Sequence, residues 1–235
     1  MRKLKRQERT ALEAVARRFS ATWEQGTGSP DATLTIAGRR VGVDLATLGR
    51  SGPGPGTAAK PRLRFDKVAT RVVERLRATL LESVPRRTTV LVTLTAPIRL
   101  PAQTSASLED GVRTLLGRRT PDRDVKATIH GNRVQIRVVR HDAKNAPTLM
   151  GFVHNPESDA GSLLDMAREW LELAGTETAR KAAPRDMASW LIVVTARGPS
   201  CLEAYRYIYS QLRLAIHYKR VLIVWGDGSV GTLTE

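Results

Sequence analysis

The chain is poor in the residues that build disulfide frameworks, zinc clusters and membrane spans. Its 235 residues include one cysteine, Cys201, and four histidines. A single cysteine forms no intrachain disulfide and no cysteine-rich zinc site. No apolar run approaches the ~18 residues that a transmembrane helix needs, and the N-terminal segment MRKLKRQERTALEAVARRF lacks the apolar centre of a secretory signal. These absences predict a soluble, cytoplasmic protein with no membrane partner.

Acidic residues are also scarce relative to basic ones. The sequence has 38 Lys and Arg against 23 Asp and Glu, which is a formal net charge of +15. A basic surface binds polyanions because each neutralised phosphate releases condensed counterions. The charge therefore favours a nucleic-acid partner, whereas a basic surface that is merely solvated and an anionic membrane surface remain alternatives at this point.

Apolar residues recur with helical and strand periods in alternation along the chain, and 41% of the residues are hydrophobic. This order predicts an α/β (mixed α+β) fold, with a central mixed sheet flanked by helices, in a single domain over 1–235. The predicted helices are 9–19, a helix from Asp66, 107–116 with Ser107 as its N-cap, 162–174 and 201–217. The predicted strands are 21–23, 32–36, 41–45, 88–98, 125–129, 134–138, 189–196, 219–225 and 230–233.

Two aspartates interrupt the short strands of the segment SPDATLTIAGRRVGVDLATL, residues 29–48. A two-residue turn at Gly38–Arg39 would put Thr33 opposite Asp44 and make Asp31 a diagonal neighbour of Asp44, roughly 7–8 Å away. Because side chains alternate along a strand, both carboxylates would share the polar face of the hairpin. That pattern fits a metal site, and it also fits a turn residue beside a solvated charge.

Three segments resemble a known family in the order in which that family has them. The sequence PDATLTIAGRRVGVDLATL resembles the metal-binding hairpin of the PD-(D/E)XK nuclease superfamily, which has the restriction-endonuclease-like fold. It is most similar to a group of uncharacterised bacterial members. Two later segments also resemble that group, ARKAAPRDMASWLIVV at 179–194 and YKRVLIVWGDGSVGTLTE at the C-terminus. The middle of the chain, about 85–160, hardly matches.

The resemblance implies a nuclease that hydrolyses phosphodiester bonds, in DNA more than in RNA, with Mg²⁺ or Mn²⁺ as its cofactor. Asp31 and Asp44 would be the metal ligands, and the backbone carbonyl of Leu45 would be a third. A glutamate on the first helix often completes such a site, which makes Glu13 the candidate. A homodimer is also compatible with this family.

The sequence departs from the family pattern at the catalytic lysine. The family's lysine normally lies two residues after the acidic position, where this chain has Ala46. Lys181 is the candidate for supplying the amino group from another part of the chain. Asp44 is also one methylene shorter than the glutamate common at that position. These departures leave a second interpretation open: a nucleic-acid-binding or partner-binding module that has lost catalysis on the same fold.

Overall fold

The structure is a computed structural model that describes residues 3–49, 61–118, 124–143, 145–179, 189–212 and 218–234, with the backbone alone described for 177–179. The chain falls into two compact units, and each is described by itself. The first unit contains the described residues of Met1–Ser51, Glu177–Arg206 and Ala215–Glu235. The second unit contains those of Gly52–Thr176 and Tyr207–Leu214.

Helices and strands alternate, so the chain is of the mixed α/β class. The described helices are α1 (Arg6–Arg18), α2 (Lys67–Thr79), α3 (Pro101–Leu116), α4 (Ala160–Ala179) and α5 (Leu202–Leu212), with a 3₁₀ turn at Pro199–Cys201. The described strands are β1 (Thr22–Gln25), β2 (Ala32–Ile36), β3 (Arg39–Thr47), β4 (Thr88–Thr95), β5 (Val125–Ile129), β6 (Asn132–Arg140), β7 (Leu149–His154), β8 (Ser189–Thr195), β9 (Arg220–Trp225) and β10 (Val230–Thr234). None of the described helices combines the length and the apolar character that a bilayer crossing requires.

The first unit is built on a six-stranded mixed sheet in the order β1-β2-β3-β8-β9-β10. Strands β1 to β3 are antiparallel, β8 and β9 run parallel to β3, and β10 returns antiparallel to β9. One face of this sheet packs on the apolar stripe of α1, where Leu12 and Val15 lie in the same buried cluster as Val43 and Leu45. Alternation along β3 therefore turns Asp44 to the other face.

The second unit is built on a four-stranded mixed sheet in the order β5-β6-β4-β7. Helix α2 begins at the N-cap Asp66, whose Oδ1 accepts hydrogen bonds from the N–H groups of Val68 and Ala69. The apolar stripe of α2 and residues of α3 form one buried cluster with the even-numbered residues of β4. The predicted start of α2 is thus confirmed, and the cluster covers one face of this sheet.

One sequence prediction is wrong in the second unit, and one of its strands was not predicted. The helix predicted to begin at Ser107 begins at Pro101, and the N-cap is Leu100, because proline at the first helical position has the backbone angle that a helix needs. Strand β7 was not predicted, because its run LMGFVH follows no alternating pattern. It is buried along its whole length and pairs parallel with β4, which is typical of strands covered on both faces.

Gly151 in β7 lets α2 approach the sheet closely. A Cβ atom on Gly151 would overlap the side chain of Val73 in α2. We expect Gly151→Ala to lower the free energy of unfolding by about 1–3 kcal/mol, as overpacked cores do. Gly111→Ala is the matched control: that glycine is within α3, and a Cβ atom there would have no neighbouring atom within 4 Å, so alanine should stabilise by about 1 kcal/mol. Urea unfolding of both variants checks the contrast, and equal effects would contradict it.

Candidate metal site on the β2–β3 hairpin

The register of the β2–β3 hairpin sets the two aspartates opposite each other. Ala32 pairs with Val43 and Ile36 pairs with Arg39, so continuing the register by one residue sets Asp31 opposite Asp44. The predicted diagonal arrangement is therefore wrong by two residues. Residues facing each other across antiparallel strands share one face, so the predicted common face is retained, with the two aspartates directly opposite instead of diagonal.

The turn explains the change of register. The two turn residues are Ala37 and Gly38, with φ of 47° and 77°, rather than Gly38 and Arg39. A two-residue turn with both residues in the left-handed region matches the twist of the flanking strands, and glycine adopts it without steric cost. The same turn joins β5 to β6 at His130 and Gly131, with φ of 48° and 80°.

Both carboxylates are buried and each accepts a hydrogen bond. Asp31 is 8% exposed and Asp44 is 6% exposed. The Asp31 Oδ2 atom accepts a hydrogen bond of 2.8 Å from the backbone N–H of Leu45. The Asp44 Oδ2 atom accepts one of 2.8 Å from the phenol of Tyr218. Among the residues that the structure describes, Asp44 has no ion-pair partner, although like charges facing each other across strands destabilise a sheet.

The backbone of Leu45 faces the aspartate pair. Its N–H reaches the Asp31 carboxylate, and the N–H and C=O of a strand residue point to the same side of the strand. The Leu45 carbonyl therefore points to the β2 side of β3, the side of Asp31, rather than into the ladder with β8. The carbonyl predicted as a third oxygen ligand is thus on the correct side of the strand.

Helix α1 does not bring Glu13 to the aspartates. Glu13 is exposed, and α1 packs on the face of the sheet that carries Val43 and Leu45. The buried acid of this helix is Glu8, which is 2% exposed and accepts a 2.8 Å hydrogen bond from the N–H of Lys5. Glu8 lies four residues before Leu12 on the apolar stripe, which the sequence pattern would have shown had the helix been predicted to start at Arg6.

Two carboxylates and a carbonyl are a donor set that suits Mg²⁺. Within the described part of the chain, no group of three or more His, Cys, Asp or Glu side chains is arranged to hold a metal ion. Mg²⁺ does not need such a group, because it commonly binds one or two carboxylates together with waters and substrate phosphates. The pair Asp31 and Asp44 therefore fits the ion that the resemblance implies, with Mn²⁺ as its usual substitute.

The residue expected to supply the lysine function is outside the described region. Lys181 lies within 180–188, which the structure does not describe. Ala46 is 7% exposed and shares the face of Asp44 by alternation along β3. The position at which the family has its lysine is thus occupied by a small, buried side chain.

Tyr218 is a site residue that the sequence did not reveal. It precedes β9 and is separated from Asp44 by 174 residues, and it is half-buried. Neither strand alternation nor the resemblance singles it out, since its role follows from the parallel arrangement of β3, β8 and β9. Its hydroxyl donates to the carboxylate that is the candidate ligand, so it holds that carboxylate in place.

Tyr218→Phe should lower stability and loosen Asp44 at the same time. A hydrogen bond to a charged group contributes about 1.5–3 kcal/mol, so we expect the free energy of unfolding to fall by about that much, measured by urea unfolding at neutral pH. Asp44→Ala removes the acceptor itself, and combined with Tyr218→Phe it tests the pairing: the change in unfolding free energy of the double variant should differ from the sum of the two single changes. Strict additivity would show that this contact contributes nothing.

None of the family models, curated proteins or solved structures compared with the chain matches it. The functional proposal therefore rests on the residues of the hairpin and on the chemistry of their arrangement.

Proposed function

We propose that the chain is a cytoplasmic, Mg²⁺- or Mn²⁺-dependent nuclease of the PD-(D/E)XK type that hydrolyses phosphodiester bonds in DNA. The observation that carries the proposal is the pair of buried carboxylates, Asp31 and Asp44, on one face of the β2–β3 hairpin. Two carboxylates on one face are ligands that a hard divalent cation takes together with water and phosphate oxygens.

The surroundings of the pair support the same proposal. The hairpin belongs to a mixed sheet with a helix packed on one face, in keeping with the restriction-endonuclease-like core that the sequence resembles. The net charge of +15 suits a polyanionic substrate. We propose that the chain has this restriction-endonuclease-like core in addition to the nuclease activity.

Three residues of the hairpin would bind the metal ion, and two residues outside it would have supporting roles. Asp31 and Asp44 would bind the ion through their carboxylates, and Leu45 through its carbonyl. When bound, the ion would lower the pKa of a water molecule and stabilise the charge that develops on the phosphate. Tyr218 would hold Asp44 in a fixed orientation through its 2.8 Å hydrogen bond, and Lys181 would orient the attacking water or the phosphate.

Ala46 favours a second candidate function. The small side chain at the lysine position suits a module that binds DNA without cleaving it. Such a module would keep the fold, the basic charge and a metal-dependent or metal-independent affinity for DNA. Cleavage and binding measured on the same samples separate the two functions.

The test uses purified protein with supercoiled plasmid and with single-stranded DNA. Each substrate is incubated with Mg²⁺, with Mn²⁺ and with excess EDTA, and a gel shift is recorded in parallel. The nuclease proposal expects cleavage with either metal and none with EDTA. Binding that weakens with salt but gives no cleavage under any condition would favour the module instead, and neither binding nor cleavage would contradict both.

A further inference from the structure

The face of the four-stranded sheet that points away from α2 and α3 carries polar side chains in neighbouring strands. On β4, Val90, Val92 and Leu94 belong to the buried cluster with α2 and α3, so Thr93 and Thr95 point to the opposite face by alternation. The register adds neighbours to each threonine: Thr93 pairs with Gln135, and Thr95 pairs with His154. Polar groups from three adjacent strands therefore meet on this face.

A cavity of about 360 Å³ opens on this polar face. Its walls are the face itself, residues of β5 and β6, and the segment 156–161 that leads into α4. All of these residues belong to the second unit. Small-molecule sites commonly measure ~300–1,000 Å³, so this cavity has room for one compact ligand of about mononucleotide size.

Thr93 brings an unsatisfied hydroxyl to the cavity. Its side chain lines the cavity and the residue is only 1% exposed. Within the described part of the chain its Oγ1 atom has no hydrogen-bond partner. Buried polar groups are nearly always hydrogen-bonded, so this hydroxyl is an unexplained feature that a ligand atom would satisfy.

The other buried groups of the cavity are neutral and include acceptors. The Nε2 atom of Gln135 donates to Asp124 at 3.2 Å, which leaves its amide oxygen as an acceptor. His154 donates from Nδ1 to the carbonyl of Asn155 at 2.8 Å, so Nε2 is the acceptor of the neutral ring, and the Thr95 hydroxyl lies 3.5 Å from it. Burial lowers the pKa of His154, and the ring is therefore neutral near pH 7.

The exposed rim of the cavity is cationic. Lys126 and Arg133 line it and are exposed, and the guanidinium of Arg133 donates to the carbonyl of Pro156 at 3.3 Å. Asp159 is the one acidic residue among the described residues of the lining, and its Oδ1 atom already accepts the N–H of Gly161 at 3.0 Å. The rim thus has a net positive charge beside a neutral hydrogen-bonding interior.

We propose that this cavity binds a nucleoside monophosphate, with the phosphate at Lys126 and Arg133 and the base hydrogen-bonded to Thr93. Guanidinium and ammonium groups form strong charge-assisted hydrogen bonds with phosphate. The interior supplies the hydroxyl of Thr93 as a donor and the amide oxygen of Gln135 as an acceptor, which is the mixed pattern that a base edge needs. The site is independent of Asp31 and Asp44, because the described residues that line it all belong to the second unit.

The binding test is isothermal titration calorimetry of the full chain in EDTA, which keeps the aspartate pair out of the measurement. The probes are the 5′-monophosphates of adenosine, guanosine, cytidine and uridine. Ribose 5-phosphate and inorganic phosphate are the smaller probes used for comparison. We expect at least one nucleotide to bind with a Kd below about 1 mM and at least about tenfold more tightly than either smaller probe. No nucleotide binding, or equal affinity for a smaller probe, would overturn the proposal.

Variants distinguish a binding role from a structural one. Lys126→Ala/Arg133→Ala should weaken nucleotide binding by at least about tenfold, whereas Arg71→Ala/Arg86→Ala removes the same charge from two other exposed positions of this unit and should not. Thr93→Val should weaken binding about tenfold without lowering the thermal midpoint measured without nucleotide, because the hydroxyl has no partner to lose among the described residues. Unchanged affinity in the cavity variants, or a lowered midpoint for Thr93→Val, would contradict the assignment.

Discussion

Asp44→Asn should reduce metal-dependent DNA cleavage by at least about 10³-fold, because metal stabilisation of the transition state is worth several kcal/mol and each 1.36 kcal/mol is about tenfold in rate. Asparagine retains an oxygen that accepts the Tyr218 hydrogen bond, so the protein should stay folded. Initial rates of plasmid nicking in saturating Mg²⁺, at equal protein concentration, measure the effect.

Stability provides an independent readout of the same substitution. Removal of one of two facing charges should raise the thermal midpoint in EDTA, and the stabilisation that Mg²⁺ gives the unsubstituted protein should disappear. Asp227→Asn is the matched control, since Asp227 is an exposed carboxylate in the turn before β10. Undiminished cleavage by Asp44→Asn, or an equal loss of cleavage in the control, would show that Asp44 is not part of the site.

Gly26→Ala should disable the site by moving Asp31. The N–H of Gly26 donates to the backbone carbonyl of Asp31 at 2.8 Å, and a Cβ atom on Gly26 would overlap the carbonyl oxygen of Pro30. The obstacle is backbone, so the Pro30–Asp31 segment must shift. We expect the free energy of unfolding to fall by about 1–3 kcal/mol, and cleavage by about 10²-fold, as a displacement of ~1 Å can cause.

Gly28→Ala is the control for that experiment. Gly28 lies in the same connection between β1 and β2, and no atom lies within 4 Å of where its Cβ would be. Its activity and its unfolding free energy should both stay close to those of the unsubstituted chain. If Gly26→Ala behaves like Gly28→Ala in both measurements, the close approach at Gly26 does not position Asp31.

The hairpin shows which part of a site the sequence could predict. Alternation placed Asp31 and Asp44 on one face, and the structure confirms that face, because an error of two residues in register leaves the alternation unchanged. The distance between the carboxylates was not predictable in the same way. It depends on which two residues occupy the left-handed region of the turn, and Ala37 gives little local sign that it is one of them.

Long-range contacts account for what the sequence left out. Tyr218 reaches Asp44 across 174 residues, and only the pairing of distant strands brings the two together. The cavity of the second unit lies in the region that resembles no family segment. Its one sequence sign is the alternation of threonine with aliphatic residues in β4, TTVLVTLT, which indicates a strand with a polar face and does not identify its ligand.

The central claim is that Asp31 and Asp44 bind a divalent cation. The most direct test is isothermal titration calorimetry of the metal-free protein with Mn²⁺ and with Mg²⁺. The aspartate pair predicts one divalent-cation site in the unsubstituted chain, at least about tenfold weaker in Asp31→Asn and in Asp44→Asn and undetectable in the double variant. Binding of equal affinity and stoichiometry in the double variant, or no binding in the unsubstituted chain with DNA present, would contradict it.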